Sequence, residues 1–121
     1  MRVLIIDDSD DIRSVLRKII RDIGAEITGE ASNFIDGLEL VKESDAHVVI
    51  LDIKLGNKSG FDILKKVRSK EKLPIVIIFS NYSANQFREK AIKEKADYFF
   101  NKTDEFPELI DLLNKLKKEL N

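Results

Sequence analysis

Three short apolar runs constrain this chain more than any other feature: Val3-Leu4-Ile5-Ile6, Val48-Val49-Ile50-Leu51 and Ile75-Val76-Ile77-Ile78-Phe79. Each is rich in β-branched residues, continuous rather than alternating, and bounded by polar residues. A strand with one wet face alternates apolar and polar side chains. An unbroken run of four or five therefore reads as a strand covered on both faces, as in a parallel sheet. Two weaker segments, Glu26 to Glu30 and Asp97 to Phe100, suit edge positions with one side toward solvent.

Helical patterns fall between the strands. Ile12, Val15, Leu16, Ile19, Ile20 and Ile23 form a 3.6-period stripe that Gly24 brings to a stop. A second stripe uses Phe34, Ile35, Leu38 and Val41, weakened by Gly37, and a third uses Phe61, Leu64 and Val67 ahead of Pro74. The fourth opens on Ser83-Ala84-Asn85-Gln86, a capping-box pattern, and carries Phe87, Ala91 and Ile92. The fifth has Pro107 in its first turn and a stripe of Phe106, Leu109, Ile110, Leu113, Leu116 and Leu120. Five strands alternating with five helices predict an α/β fold: a doubly wound, five-stranded parallel sheet covered on both faces. Placing the two poor strands at the edges gives the order 2-1-3-4-5, with the switch point between strands one and three. Ligands of such sheets bind at that point, outside the carboxyl ends of the strands.

Composition narrows the function classes. The 121 residues make one domain, spanning 1–121, and 43% of them are hydrophobic, enough for a core. Lysine and arginine number 21 against 22 acidic residues, a balance unlike that of a nucleic-acid-binding module. No cysteine is present, which excludes disulfides, thiol nucleophiles and cysteine-held metals. His47 is the single histidine, so no histidine cluster holds a metal, and a structural role is expected for it. No apolar run approaches membrane-spanning length, and Asp7 interrupts any secretory leader. A cytoplasmic location is expected. The lysines at 115, 117 and 118 read as a solvated face near a helix C-terminus.

The polar residues that follow the strands carry the chemistry. The first strand ends in Asp7-Asp8, the third in Asp52 and the fourth in Ser80, while Lys102 follows the fifth. Topology thus delivers three carboxylates, a hydroxyl and an ammonium to one rim. Acidic residues after a strand also cap helices, but Asp52 directly follows a buried run. Two like charges 4 Å apart repel by about 4 kcal/mol at an effective dielectric near 20, so three ionised aspartates need a proton or a cation among them. Oxygen donors without histidine or cysteine select a hard ion, Mg²⁺ in a cell. An oxyanion such as a phosphoryl group fits between that ion and the lysine.

Asp7-Asp8, Asp52, Ser80 and Lys102, in this order and at these separations, resemble the receiver domain of two-component response regulators. The likeness covers nearly the whole chain. Gly60, eight residues after Asp52, and Phe99, three before Lys102, match as well. The resemblance implies a flavodoxin-like receiver fold in which Asp52 is the phosphoacceptor, taking the group from a histidine kinase or a histidine phosphotransfer protein. It implies Mg²⁺ held by Asp8, Asp52 and the backbone carbonyl of Lys54, with Asp7 acting through water. Lys102 and Ser80 would contact phosphoryl oxygens. Ser80 and Phe99 would switch, altering the face made by the fourth helix, fifth strand and fifth helix for a downstream target protein. The domain would catalyse only its own phosphorylation and dephosphorylation, with no nucleic-acid or membrane partner. The last helix runs to the end of the sequence, so a stand-alone receiver without an output domain is expected.

Some positions depart from the family pattern. Thr103 follows Lys102 where proline is usual, so no cis bond is expected there. Asn81 replaces a small residue, and Gly56 stands where proline is frequent, making its loop more flexible. With Lys54 and Tyr82, Asn81 is expected to slow turnover of the phosphorylated state. Two other readings remain: a receiver-like interaction module that is never phosphorylated, and a haloacid-dehalogenase-type phosphatase built on Asp8-Ser9-Asp10.

Overall fold

The structure is a computed structural model, and it describes residues 1–69 and 74–120. Its elements run β1 (Arg2–Ile6), α1 (Asp10–Asp22), β2 (Glu26–Ala31), α2 (Phe34–Glu43), β3 (Val48–Leu51), β4 (Lys54–Leu55), β5 (Lys58–Ser59), α3 (Gly60–Arg68), β6 (Ile75–Ser80), α4 (Asn85–Lys93), β7 (Tyr98–Asn101) and α5 (Phe106–Leu120). Five strands form one parallel sheet in the order β2-β1-β3-β6-β7. This is the expected 2-1-3-4-5 arrangement, with the apolar strands central and the two weaker ones at the edges.

The continuous runs behave as their composition demands. Every residue of β3 is buried, as are residues 3–6 of β1 and 76–80 of β6. Side chains of one parity pack under α2, α3 and α4, and those of the other under α1 and α5. Phe79 is fully buried and meets Phe106 edge-on, ring centroids 4.8 Å apart at 87°, which ties the start of α5 to the sheet. Edge strand β2 slips register against β1 between Val3 and Leu4, a bulge at Thr28.

Four local expectations need correction. The chain after Asp52 is not a plain loop: β4 and β5 form a two-residue antiparallel hairpin, with Lys54 opposite Ser59. Gly56, at φ +65°, takes the first turn position of that hairpin, which requires a positive φ. Ser83 does not cap α4. The N-cap is Ala84, without a side-chain hydrogen bond, because the Ser83 hydroxyl accepts from Asn101 Nδ2 at 2.6 Å. Ile92 and Ile35 lie on the outer sides of their helices, 76% and 71% exposed. Gly37 strengthens α2 packing, since a Cβ there would come within 2.8 Å of Ile6 Cγ2. His47 is structural, its Nδ1 accepting the Arg2 N–H at 2.9 Å.

Candidate functional site

The site is built where β1, β3 and β7 end. Helix α1 is capped by Ser9, whose hydroxyl accepts the Ile12 N–H at 3.2 Å. Asp10 and Asp11 occupy its first turn, where negative charge suits the helix dipole. Capping therefore does not consume Asp7 or Asp8. Asp7 is buried, with Oδ1 accepting the Ser9 N–H at 2.9 Å, and its carbonyl takes a 2.7 Å bond from Arg13. Asp8 is exposed. Asp52 follows β3; its Oδ1 accepts the Ile53 N–H at 2.8 Å. Carboxylate oxygens of Asp7, Asp8 and Asp52 lie within 4.8 Å of one another.

Lys102 closes the arrangement. Its ammonium is 2.7 Å from Asp52 Oδ2 and 2.7 Å from Asp7 Oδ2. Asp7, Asp52, Ser80 and Lys102 are the buried polar or charged residues among those described. All four were singled out by their position after a strand.

Burial pushes the Asp7 carboxyl up; its bonds from Lys102 and the Ser9 N–H pull it down without offsetting this, and the charge of Asp52 adds to the rise. Burial alone lowers the Lys102 ammonium, but hydrogen bonds and attraction from Asp52 and Asp7 outweigh it, so its pKa is raised. One ammonium faces three carboxylates. At 4.8 Å each ionised pair repels by about 3.5 kcal/mol at an effective dielectric near 20. A further cation relieves that repulsion. The donors are all oxygen, one carboxylate is exposed, and a cleft of about 210 Å³ opens beside Asp8, Asp52, Lys54 and Lys102. This donor set fits a hard divalent ion that keeps part of its water shell.

The rest of the rim supports Asp52 or flanks the cleft. Gly60 packs so closely that a Cβ there would lie 2.0 Å from the Asp52 carbonyl oxygen, and its N–H reaches the Ile53 carbonyl at 2.5 Å. Lys54 lies 5.8 Å from the ring centroid of Tyr82 across the mouth of the cleft. Ser80 is fully buried, and its hydroxyl accepts the Tyr82 N–H at 3.1 Å rather than joining the acids. Phe99 is half-buried against the core, with the Arg88 guanidinium 4.6 Å from its ring centroid. Two of the departures from the family pattern meet: Thr103 Oγ1 donates to Asn81 Oδ1 at 3.1 Å. The described residues contain no cis peptide bond. Asp10 pairs with Arg13 outside the acid cluster, which removes the second acid a phosphatase reading of Asp8-Ser9-Asp10 needs. Sequence reasoning missed Arg13 and Arg88. Apart from the i,i+3 pair of Arg13 with Asp10, their partners are backbone carbonyls and acids on other elements, which leave no local signal.

An open α/β sheet with acids at its switch point and a lysine bound across them defines a class: a doubly wound domain with a charged rim at the carboxyl ends of its strands. Comparison with known proteins makes it specific. The family model of the response regulator receiver domain matches residues 3–114. The chemotaxis protein CheY of Thermotoga maritima is 32% identical over 117 residues, covering 97% of this chain and 98% of its own. A DNA-binding response regulator of the LuxR family from Staphylococcus aureus superposes with a TM-score of 0.85 at 28% identity, covering 95% of this chain and 97% of that one. The response regulator domain of Thermotoga maritima CheB gives 0.83 at 27% identity, covering 98% and 94%. The chain belongs to the response regulator receiver domain family.

Proposed function

We propose that this receiver accepts a phosphoryl group on Asp52 and passes the signal on by protein contacts. The observation that carries the reading is the buried Asp52–Lys102–Asp7 bridge beside an exposed Asp8. An Asp52 carboxylate oxygen attacks phosphorus, and an O–P bond forms as the donor's P–N bond to a histidine nitrogen breaks. The electron pair leaves with the imidazole, which takes its proton from solvent. No base is needed, because the ionised carboxylate is itself the nucleophile. Lys102 is placed to exchange its carboxylate partners for phosphoryl oxygens. Asp8, Asp52 and the Lys54 carbonyl would hold Mg²⁺, with Asp7 acting through water. The ion supplies charge neutralisation to the equatorial oxygens.

Phosphorylation adds nearly two negative charges and several acceptor oxygens. Ser80 would release the Tyr82 N–H and turn toward them, and Phe99 would follow inward. The partner on the donor side is a histidine kinase or a histidine phosphotransfer protein. The output face is α4, β7 and α5, where Ile92 and Tyr98 stand exposed. Among the described residues no helix is long and apolar enough to cross a membrane, and we assign a cytoplasmic location. The domain acts on its own aspartyl phosphate and not as an enzyme on other substrates.

Incubation with acetyl phosphate and Mg²⁺, followed by intact mass, tests the reading. One added phosphoryl group is expected, absent in Asp52→Asn and absent when EDTA is present. A wild-type chain that stays unmodified at saturating donor overturns it.

A further inference from the structure

Helix α4 is weakly anchored. Ala91 is its one buried residue, its first turn has no acid, and its N-cap makes no side-chain bond. Arg88 supplies what the cap does not. Its Nε donates to the Ser83 carbonyl at 3.1 Å, and Nη2 donates to Glu105 Oε1 at 2.9 Å. The same guanidinium lies 4.6 Å from the centroid of Phe99, within cation–π range. Glu105 Oε1 also accepts the Asn101 N–H at 2.8 Å, one residue before Lys102. One fork therefore joins the loop after Ser80, the loop that carries Lys102 and the ring of Phe99.

We propose that Arg88 is a positioning residue that holds these three parts in the resting arrangement against which phosphorylation works. The proposal rests on the phosphoacceptor reading of Asp52. Ser80 is two residues from Tyr82 and three from Ser83, so moving its hydroxyl draws on the segment that Arg88 fastens. Moving Phe99 removes the ring from under the guanidinium. Contacts made only in the resting state bias the equilibrium toward it, and by linkage they oppose the modification that favours the other state.

The test uses the full chain with fluorinated phenylalanine, the Phe99 resonance being assigned by its loss in Phe99→Leu. Arg88→Met keeps an apolar stem over the ring but removes every donor, whereas Arg88→Lys keeps the charge and loses the fork. In unphosphorylated protein the Phe99 resonance is expected to shift or broaden in Arg88→Met and to lie between the two in Arg88→Lys, while that of Phe79 stays in place. At limiting acetyl phosphate with Mg²⁺, the phosphorylated-to-unphosphorylated ratio is expected to rise three- to tenfold in Arg88→Met. A Phe99 resonance unmoved in Arg88→Met overturns the proposal, even if the variant is less stable. So does a moved resonance with an unchanged ratio. A wild-type chain that refuses the phosphoryl group instead sinks the Asp52 reading, and the Phe99 signal still decides whether Arg88 holds the ring.

Discussion

Lys102 Nζ lies 2.7 Å from Asp52 Oδ2 across 50 residues of chain, and both side chains are buried. The same ammonium reaches Asp7, so one cation compensates two carboxylates that follow different strands.

Removing that ammonium leaves two buried acids facing each other. Breaking a buried pair typically costs about 3–5 kcal/mol, so Lys102→Met is expected to lose roughly 3 kcal/mol in EDTA and to regain part of it with Mg²⁺. Asp7→Asn is expected to move the other way at pH 7, because burial disfavours its charged form more than its partners favour it. Urea unfolding with and without Mg²⁺ measures both. Equal stability of Lys102→Met and wild type in EDTA contradicts the account.

Backbone approach beside Asp52 leaves no room at Gly60. Gly60→Ala places a Cβ 2.0 Å from the Asp52 carbonyl oxygen, which must be relieved by moving the phosphoacceptor's own backbone. A loss of about 3 kcal/mol is expected, with slower phosphorylation. Gly56→Ala meets nothing within 4 Å but keeps φ +65°, so only the left-handed backbone penalty of about 1–2 kcal/mol remains. Thermal melts should rank the two variants in that order.

Acid sensitivity follows from two carboxylates. The Asn101 N–H, then Arg88, hold the Glu105 carboxyl below its ordinary 4.5, and Arg17 does the same for Glu30. In each case the unfolded chain binds the proton first. Their stabilisation is complete above about pH 4.5 and is lost as pH falls through the lower folded values. Asp7 has the opposite sign and partly offsets this, since its folded carboxyl lies above 3.8. Urea midpoints between pH 7 and pH 3 should fall on the acid side, and less steeply in Glu105→Gln. An identical pH profile for that variant counts against the assignment.

Lys54, Tyr82 and Asn81 crowd the mouth of the cleft through which water must reach an aspartyl phosphate. Lys54→Ala and Asn81→Ala are each expected to shorten the half-life of the phosphorylated state two- to tenfold. Loss of label after removal of the donor measures it. Unchanged half-lives would make these residues bystanders.

The continuous apolar runs at Val3, Val48 and Ile75 made the central strands legible, and the poverty of the segments at Glu26 and Asp97 placed the edges. The polar residue after each run marks the rim, which is why Asp7, Asp52, Ser80 and Lys102 stand out in the sequence, and the fold brings Asp7, Asp52 and Lys102 into direct contact. Helix faces were less legible. The stripe through Phe87 and Ala91 looked continuous at Ile92, yet Ile92 faces outward because α4 meets the sheet along a narrow strip. Ser83 looked like a cap until Asn101, 18 residues away, claimed its hydroxyl.

Strand order and the acids at the switch point were set by the sequence itself, because burial on two faces and the alternation of elements are properties of neighbouring residues. Which side chain meets which across the rim was decided by the tertiary structure alone. The pairing of Lys102 with both Asp7 and Asp52, and of Arg88 with Ser83, Glu105 and Phe99, depends on how separate loops are brought together. That meeting is fixed by packing over the whole sheet, and no local pattern encodes it.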